Sequence, residues 1–162
     1  MVLGAALLGC GGANRGGVAA GRGSADREAA VLFVCEHGNV KSLMAASYFD
    51  RIARERGLHA HAVSRGAAPD SDSVPPAIAE ALRGDGFDVS SFRPAKVSAR
   101  DVAGAARIVT IGVELQPDAG AGVAVPRERW DDVPPASVDY ARSRDALMVH
   151  VRALAAELTA QR

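Results

Sequence analysis

The sequence predicts a single α/β domain of three layers, in which a four-stranded parallel sheet is flanked by helices. Three observations support it. Apolar runs of strand length alternate with longer segments whose apolar residues recur at helical spacing. The first run, Val31-Leu32-Phe33-Val34, is continuous, as in a central parallel strand. It leads straight into Cys35-Glu36-His37-Gly38-Asn39-Val40, a tight loop with glycine and asparagine at its centre, and from there into a helix.

The remaining elements follow in order. Lys41 to Arg56 carries Leu43, Met44, Ala46, Tyr48, Phe49, Ile52 and Ala53 on helical spacing, and Gly57 stops it. Ala60 to Ser64 is a second short strand. Pro75 to Arg83, with Ile78, Ala81 and Leu82, is a second helix ended by Gly84 and Gly86. Ala99 to Ala105 is a short helix, Arg107 to Ile111 a third strand, and Gly122 to Val125 is expected as the fourth. Val138 to Leu158, with Ala141, Ala146, Val149, Leu154 and Leu158, closes the domain as a long amphipathic helix. In such a sheet the loop after the first strand lies at the carboxyl end of the strands, where ligands bind.

About 130 residues follow the amino-terminal segment, enough for one well-buried core. Formal charge balances to zero and basic residues are scattered, which argues against a nucleic-acid groove as the main partner. No cofactor is expected. The amino-terminal residues are a separate object. Residues 1–9 end in Leu7-Leu8-Gly9 before Cys10, and this stretch resembles a truncated signal with a bacterial lipoprotein processing box. Residues 10–29 have the composition of a flexible linker, and the domain is expected over 30–162. Cys10 is therefore the expected lipidation site, giving an envelope location through a lipid anchor; without processing, the protein would be cytoplasmic. Lipidation would leave Cys35 as the only thiol, exposed to oxidation in the envelope.

The loop carries the chemistry. A thiol at its start, a cation at its end and a helix behind it can aim backbone N–H groups and a positive helix terminus at one tetrahedral oxyanion. Gly38 and Asn39 are the residues best able to take positive φ, as a loop that curls its N–H groups inward requires. Glu36 and His37 are expected to point outward, since a carboxylate facing the anion would oppose it. His37 has a second reading as a rim proton donor. Each residue also has a plainer interpretation: Cys35 as a small buried apolar side chain, Lys41 as a solvated first-turn residue, Ser42 as a helix-start hydroxyl.

Val31-Leu32-Phe33-Val34-Cys35, followed by five residues, a base, Ser42 and Met44-Ala45, resembles the low-molecular-weight protein tyrosine phosphatase superfamily, which includes thiol-dependent arsenate reductases. The likeness extends through Ser64-Arg65-Gly66, Phe92-Arg93-Pro94, Ile108 to Gly112, and Trp130 with Pro135-Ala136. The resemblance implies that Cys35 is the nucleophile, forming a thiophosphate that splits one difficult displacement into two. It also implies that residues 36–41 bind the oxyanion, and that Ser42 donates to the Cys35 thiolate.

Three departures stand out. The family has arginine where this chain has Lys41, which brings charge without a bidentate fork and should cost rate more than binding. The family's general acid is an aspartate before a proline; in Trp130-Asp131-Asp132-Val133-Pro134-Pro135-Ala136 its place is taken by Pro134. Asp132, or Asp131, is then the candidate acid if the loop is re-routed, and both are otherwise solvated turn residues. Finally, Gly112-Val113-Glu114-Leu115-Gln116-Pro117 lacks the extra cysteines of redoxin-coupled reductases, so release of arsenylated Cys35 would need an external thiol or redoxin. The expected function is a phosphomonoesterase acting through cysteinyl phosphate on a phosphate- or arsenate-bearing substrate. The alternatives are an arsenate reductase using an external thiol and a non-catalytic oxyanion binder.

Overall fold

The structure, a computed structural model, describes residues 29–115 and 124–161. Cys10, the lipoprotein-like box and the linker before Ala29 lie outside the described residues. Among the described residues, eight elements follow in chain order: β1 (Ala29–Cys35), α1 (Lys41–Glu55), β2 (Ala60–Gly66), α2 (Pro76–Gly84), α3 (Ala99–Gly104), β3 (Ala105–Ile111), β4 (Arg127–Trp130) and α4 (Tyr140–Ala160). The sheet has the order β2-β1-β3-β4, and every pairing in it is parallel.

The continuous apolar run of β1 is explained by its central position, with cores on both faces. Val31, Phe33 and Cys35 face the larger core with Met44, Phe49, Leu82, Leu147 and Leu154 of α1, α2 and α4. Leu32 and Val34 face a smaller one with Val102 of α3 and Ile108 of β3. The three layers expected from the sequence are therefore present, with the helices divided unequally between the two faces. Phe33 lies between the rings of Phe49 and Trp130, at centroid distances of 5.8 and 5.7 Å, and so couples β1 to α1 and to β4.

Local signals set the helix starts. Pro76 occupies the first helical position of α2, where its missing N–H costs nothing. Ser98 and Asp101 form a reciprocal capping box at α3. Along the free edge of β2, Asp50 Oδ1 accepts from Ala62 N at 2.7 Å and blunts part of it.

The fourth strand is not where the sequence suggested. The apolar stretch to Val125 is not β4; Ala124 and Val125 are irregular, and Gly122 and Val123 lie outside the described residues. The strand is instead Arg127-Glu128-Arg129-Trp130, of which only Trp130 is buried. It lies at the sheet edge, where few side chains enter the core and charges discourage pairing with another chain, so it carries almost no apolar pattern. Arg107, buried on β3, holds it through Glu128 Oε1 at 2.7 Å and reaches Glu157 of α4 at the same distance.

Candidate active site

The loop from Cys35 to Lys41 sits at the carboxyl end of the sheet, between β1 and α1. Its course depends on two glycines. Gly38 has φ +76°, a region L side chains rarely enter. Gly66, at the end of β2, has no room for a side chain because a Cβ there would fall 2.7 Å from the His37 carbonyl carbon. The β1–β2 ladder runs on past the strands: Ala67 N donates to Cys35 O at 2.9 Å and Ala68 N to Glu36 O at 2.8 Å. The start of the loop is thus fixed by backbone bonds, and its centre lies against Gly66.

Cys35 is buried, and its Sγ receives two contacts: Gly38 N–H at 3.3 Å and Ser42 Oγ at 3.1 Å. Ser42 is fully buried and is itself 2.9 Å from Ser64 Oγ, whose hydroxyl also lies 3.2 Å from Gly38 O. With Ser64 donating to Ser42, the Ser42 proton is free to point at sulfur, and the chain of hydroxyls ends on Cys35 Sγ. Ser64 was not among the site residues drawn from the sequence. Its signal is faint: Ser64 and Gly66 occupy one face of β2, and Gly66 is in register with Cys35.

The first turn of α1 has no side-chain cap and no acidic residue, so its free N–H groups and positive end face the loop. Asn39 is buried and donates from Nδ2 to Ser73 O at 2.9 Å, which ties the loop to the segment before α2; the positive φ belongs to Gly38. Lys41 is half-buried, and no carboxylate among the described residues pairs with it. Its Nζ lies over Gly112, 2.8 Å from where a Cβ would stand.

These residues enclose a cavity of about 180 Å³, lined by Cys35, Lys41, Asn39, Gly112, Pro135 and Ser137 among others, with Glu36 and His37 on its wall. Glu36 and His37 are exposed, as expected, yet both contribute to the rim. A groove of about 740 Å³ between α1 and α4 is larger, but it is lined by Tyr48, Arg51 and Met148 and touches none of the loop residues.

Asp132, the expected general acid, is not among the residues that line the cavity. Its exposed carboxylate accepts from His150 Nε2 of α4 at 2.7 Å, and that hydrogen bond holds it below the usual carboxylate range. His150 in turn stacks on Trp130, with centroids 4.8 Å apart. Asp131 is diverted as well, through two contacts of 2.7 and 2.8 Å from Arg129 Nε. Val133 and Ala136 are buried, and the chain between them presents Pro135 to the cavity and no carboxylate.

The assembly is a thiol in a cradle of N–H and O–H donors, beside a cation, on the wall of one cavity. Comparisons with known structures show the same fold. YfkJ from Bacillus subtilis superposes with a TM-score of 0.75 at 23% identity, covering 88% of this chain and 99% of that one. A thioredoxin-dependent arsenate reductase from Corynebacterium glutamicum gives 0.70 at 17% identity, over 85% of this chain and 65% of that one. The YwlE arginine phosphatase from Geobacillus stearothermophilus gives 0.63 at 19%, over 82% and 94%. No curated protein sequence gives a significant match. The sequence pattern of the family described as low molecular weight phosphotyrosine protein phosphatase matches residues 30–118, from the start of β1 past the end of β3, and the chain belongs to that family.

Proposed function

We propose that the protein is a phosphomonoesterase in which Cys35 attacks phosphorus and carries the phosphoryl group as a cysteinyl phosphate before water releases it. The observation behind this reading is the donor set converging on Cys35 Sγ, from Gly38 N–H and Ser42 Oγ, with Lys41 on the wall of the same cavity. A thiolate so held is a nucleophile, and the free N–H groups of the loop and α1 are donors for the equatorial oxygens of a loose transition state. Lys41 supplies charge to those oxygens without the two-point fork of arginine, so binding is kept and rate is reduced. The cavity has no aromatic side chain on its wall among the described residues apart from the His37 imidazole, which favours a slim phosphate ester over a large planar one.

The test is hydrolysis of 4-nitrophenyl phosphate by the full chain and its Cys35→Ser and Lys41→Arg variants, with arsenate as competitor. Turnover lost in Cys35→Ser and raised in Lys41→Arg supports the reading. Absence of turnover, with arsenate still protecting Cys35 from alkylation, overturns it in favour of an oxyanion binder or a reductase served by an external thiol. A lipid anchor at Cys10, and with it an envelope location, belongs to the same proposal on the strength of Leu7-Leu8-Gly9-Cys10; lipid labelling lost in Cys10→Ala is its test.

A further inference from the structure

Phosphoryl transfer to Cys35 leaves the departing oxygen in need of a proton source. The resemblance puts Pro134 where the family has its acid, Asp132 is bonded to His150, and Asp131 to Arg129. The described titratable residues on the cavity wall are Cys35, Glu36, His37 and Lys41. Cys35 is the nucleophile. Lys41 would lose the charge the transition state needs if it gave up its proton. No described residue orients the Glu36 carboxyl.

His37 differs from all three because its ring is held. Nδ1 lies 3.3 Å from Ala68 O and 3.2 Å from Asp70 Oδ1, and both of these are acceptors. Two acceptors at one nitrogen fix the proton on Nδ1 and leave Nε2 as the nitrogen that exchanges protons. A carboxylate behind an imidazole also sets the orientation of the ring. The backbone is fixed on the other side, since the His37 carbonyl lies against Gly66.

Building on the phosphatase reading, we infer that His37, oriented by Asp70 and Ala68, is the acid that protonates the leaving oxygen in place of the missing aspartate. As the bond from Cys35 Sγ to phosphorus forms, the bond from phosphorus to the ester oxygen breaks. The departing oxygen keeps the electron pair and takes the Nε2 proton. The neutral imidazole then accepts a proton from the water that attacks the thiophosphate; the S–P bond breaks, Cys35 returns to thiolate and inorganic phosphate leaves. Nothing is oxidised or reduced. The charged groups facing His37 are Asp70 behind the ring, with Glu36 and Lys41 sharing the cavity.

The experiment measures kcat/KM of the full chain and its His37→Asn and Asp70→Asn variants on aryl phosphates graded from 4-nitrophenyl to phenyl. Phosphate protection of Cys35 from alkylation checks that each variant keeps the loop. Removal of the acid is expected to lower kcat/KM for phenyl phosphate by about 10²–10⁴, and for 4-nitrophenyl phosphate, whose leaving group needs little help, by less than about 10-fold. Asp70→Asn, which leaves the His37 ring held by Ala68 O alone, should show the same selectivity for phenyl phosphate with a smaller loss. An equal loss on both substrates, or an unchanged dependence on the leaving group, overturns the role of His37 and leaves the phosphatase reading standing. A wild-type chain inactive on every ester overturns both.

Discussion

Gly66 and His37 are in backbone contact: a Cβ added to Gly66 would fall 2.7 Å from the carbonyl carbon and from the carbonyl oxygen of His37. The end of the edge strand β2 is therefore one wall of the mould in which the Cys35 loop is formed. Gly66→Ala is expected to displace the loop, and Gly38→Ala to add the strain of a positive φ, about 1–3 kcal/mol. Urea unfolding should show the stability loss, and inorganic phosphate should no longer protect Cys35 from iodoacetamide in either variant. Full protection in Gly66→Ala would mean that the contact does not shape the site.

The hydroxyl pair Ser64–Ser42 extends the support of Cys35 away from the cavity. Hydrogen bonds to a charged group contribute about 1.5–3 kcal/mol, so Ser42→Ala should lower kcat/KM by roughly one to two orders of magnitude. Ser64→Ala should cost less, because Ser42 keeps its contact with sulfur. Combining the two should give less than the product of the separate losses, since both act on one thiolate. Steady-state kinetics of the double-mutant cycle measure this, and strict multiplicativity would show that the hydroxyls act independently.

Gly112 has φ +63° and leaves the space that the Lys41 ammonium occupies. Gly112→Ala forces that ammonium to move from 2.8 Å, and since it is the end of a flexible side chain, the fold should survive. Oxyanion affinity should fall, read as a higher Ki for phosphate, and Lys41→Met should remove most of the effect of the second substitution. A Ki unchanged in Gly112→Ala would detach Lys41 from the anion.

Asp85 ties three elements together, accepting from the hydroxyls of Tyr48 on α1 and Tyr140 on α4 beside Arg144 and Arg51. Burial works against its charge, but the two tyrosine bonds and the arginines outweigh it and hold its carboxyl below the ordinary range. Burial pushes Tyr140 up to about 12 and Tyr48 higher still, so both remain donors at neutral pH. A carboxyl with a lowered folded pKa contributes stability that is present above its unfolded value, about 3.9, and lost as pH falls through the folded value. Melting temperature should be level above about pH 5 and drop below about pH 4, and Asp85→Asn should lower the plateau and flatten the acid limb. An acid limb identical in Asp85→Asn would assign it to other carboxylates, Asp101 first, whose own lowered pKa rests on Ser98 and Arg65 against the cost of burial.

Most of the strands, the helices and the core of the site were readable along the chain because their causes are local. The run from Val31 to Val34 is apolar at every position because β1 is central, and the loop behind it displays its glycine, its thiol and its cation in sequence. Where the cause is distant, the reading failed. Arg127 to Trp130 becomes a strand because β3 offers it a free edge, and its charged residues carry no sign of that. Asp132 was a reasonable candidate acid from its place in the chain, yet its partner lies on α4, 18 residues further on.

The strand–loop–helix unit and the thiol with its neighbouring cation are legible in the order of residues alone. These are properties of neighbours in the chain, and periodicity and spacing record them. Tertiary contacts were needed to settle which hydroxyl supports Ser42, which glycines leave room for the loop and for Lys41, and which carboxylate stands behind His37. Each of those depends on side chains or backbones brought within a few ångströms across tens of residues, as Ser64 is to Ser42 and Asp70 to His37. Such contacts have no period in the chain, so they appear only once the sheet has aligned the carboxyl ends of its strands.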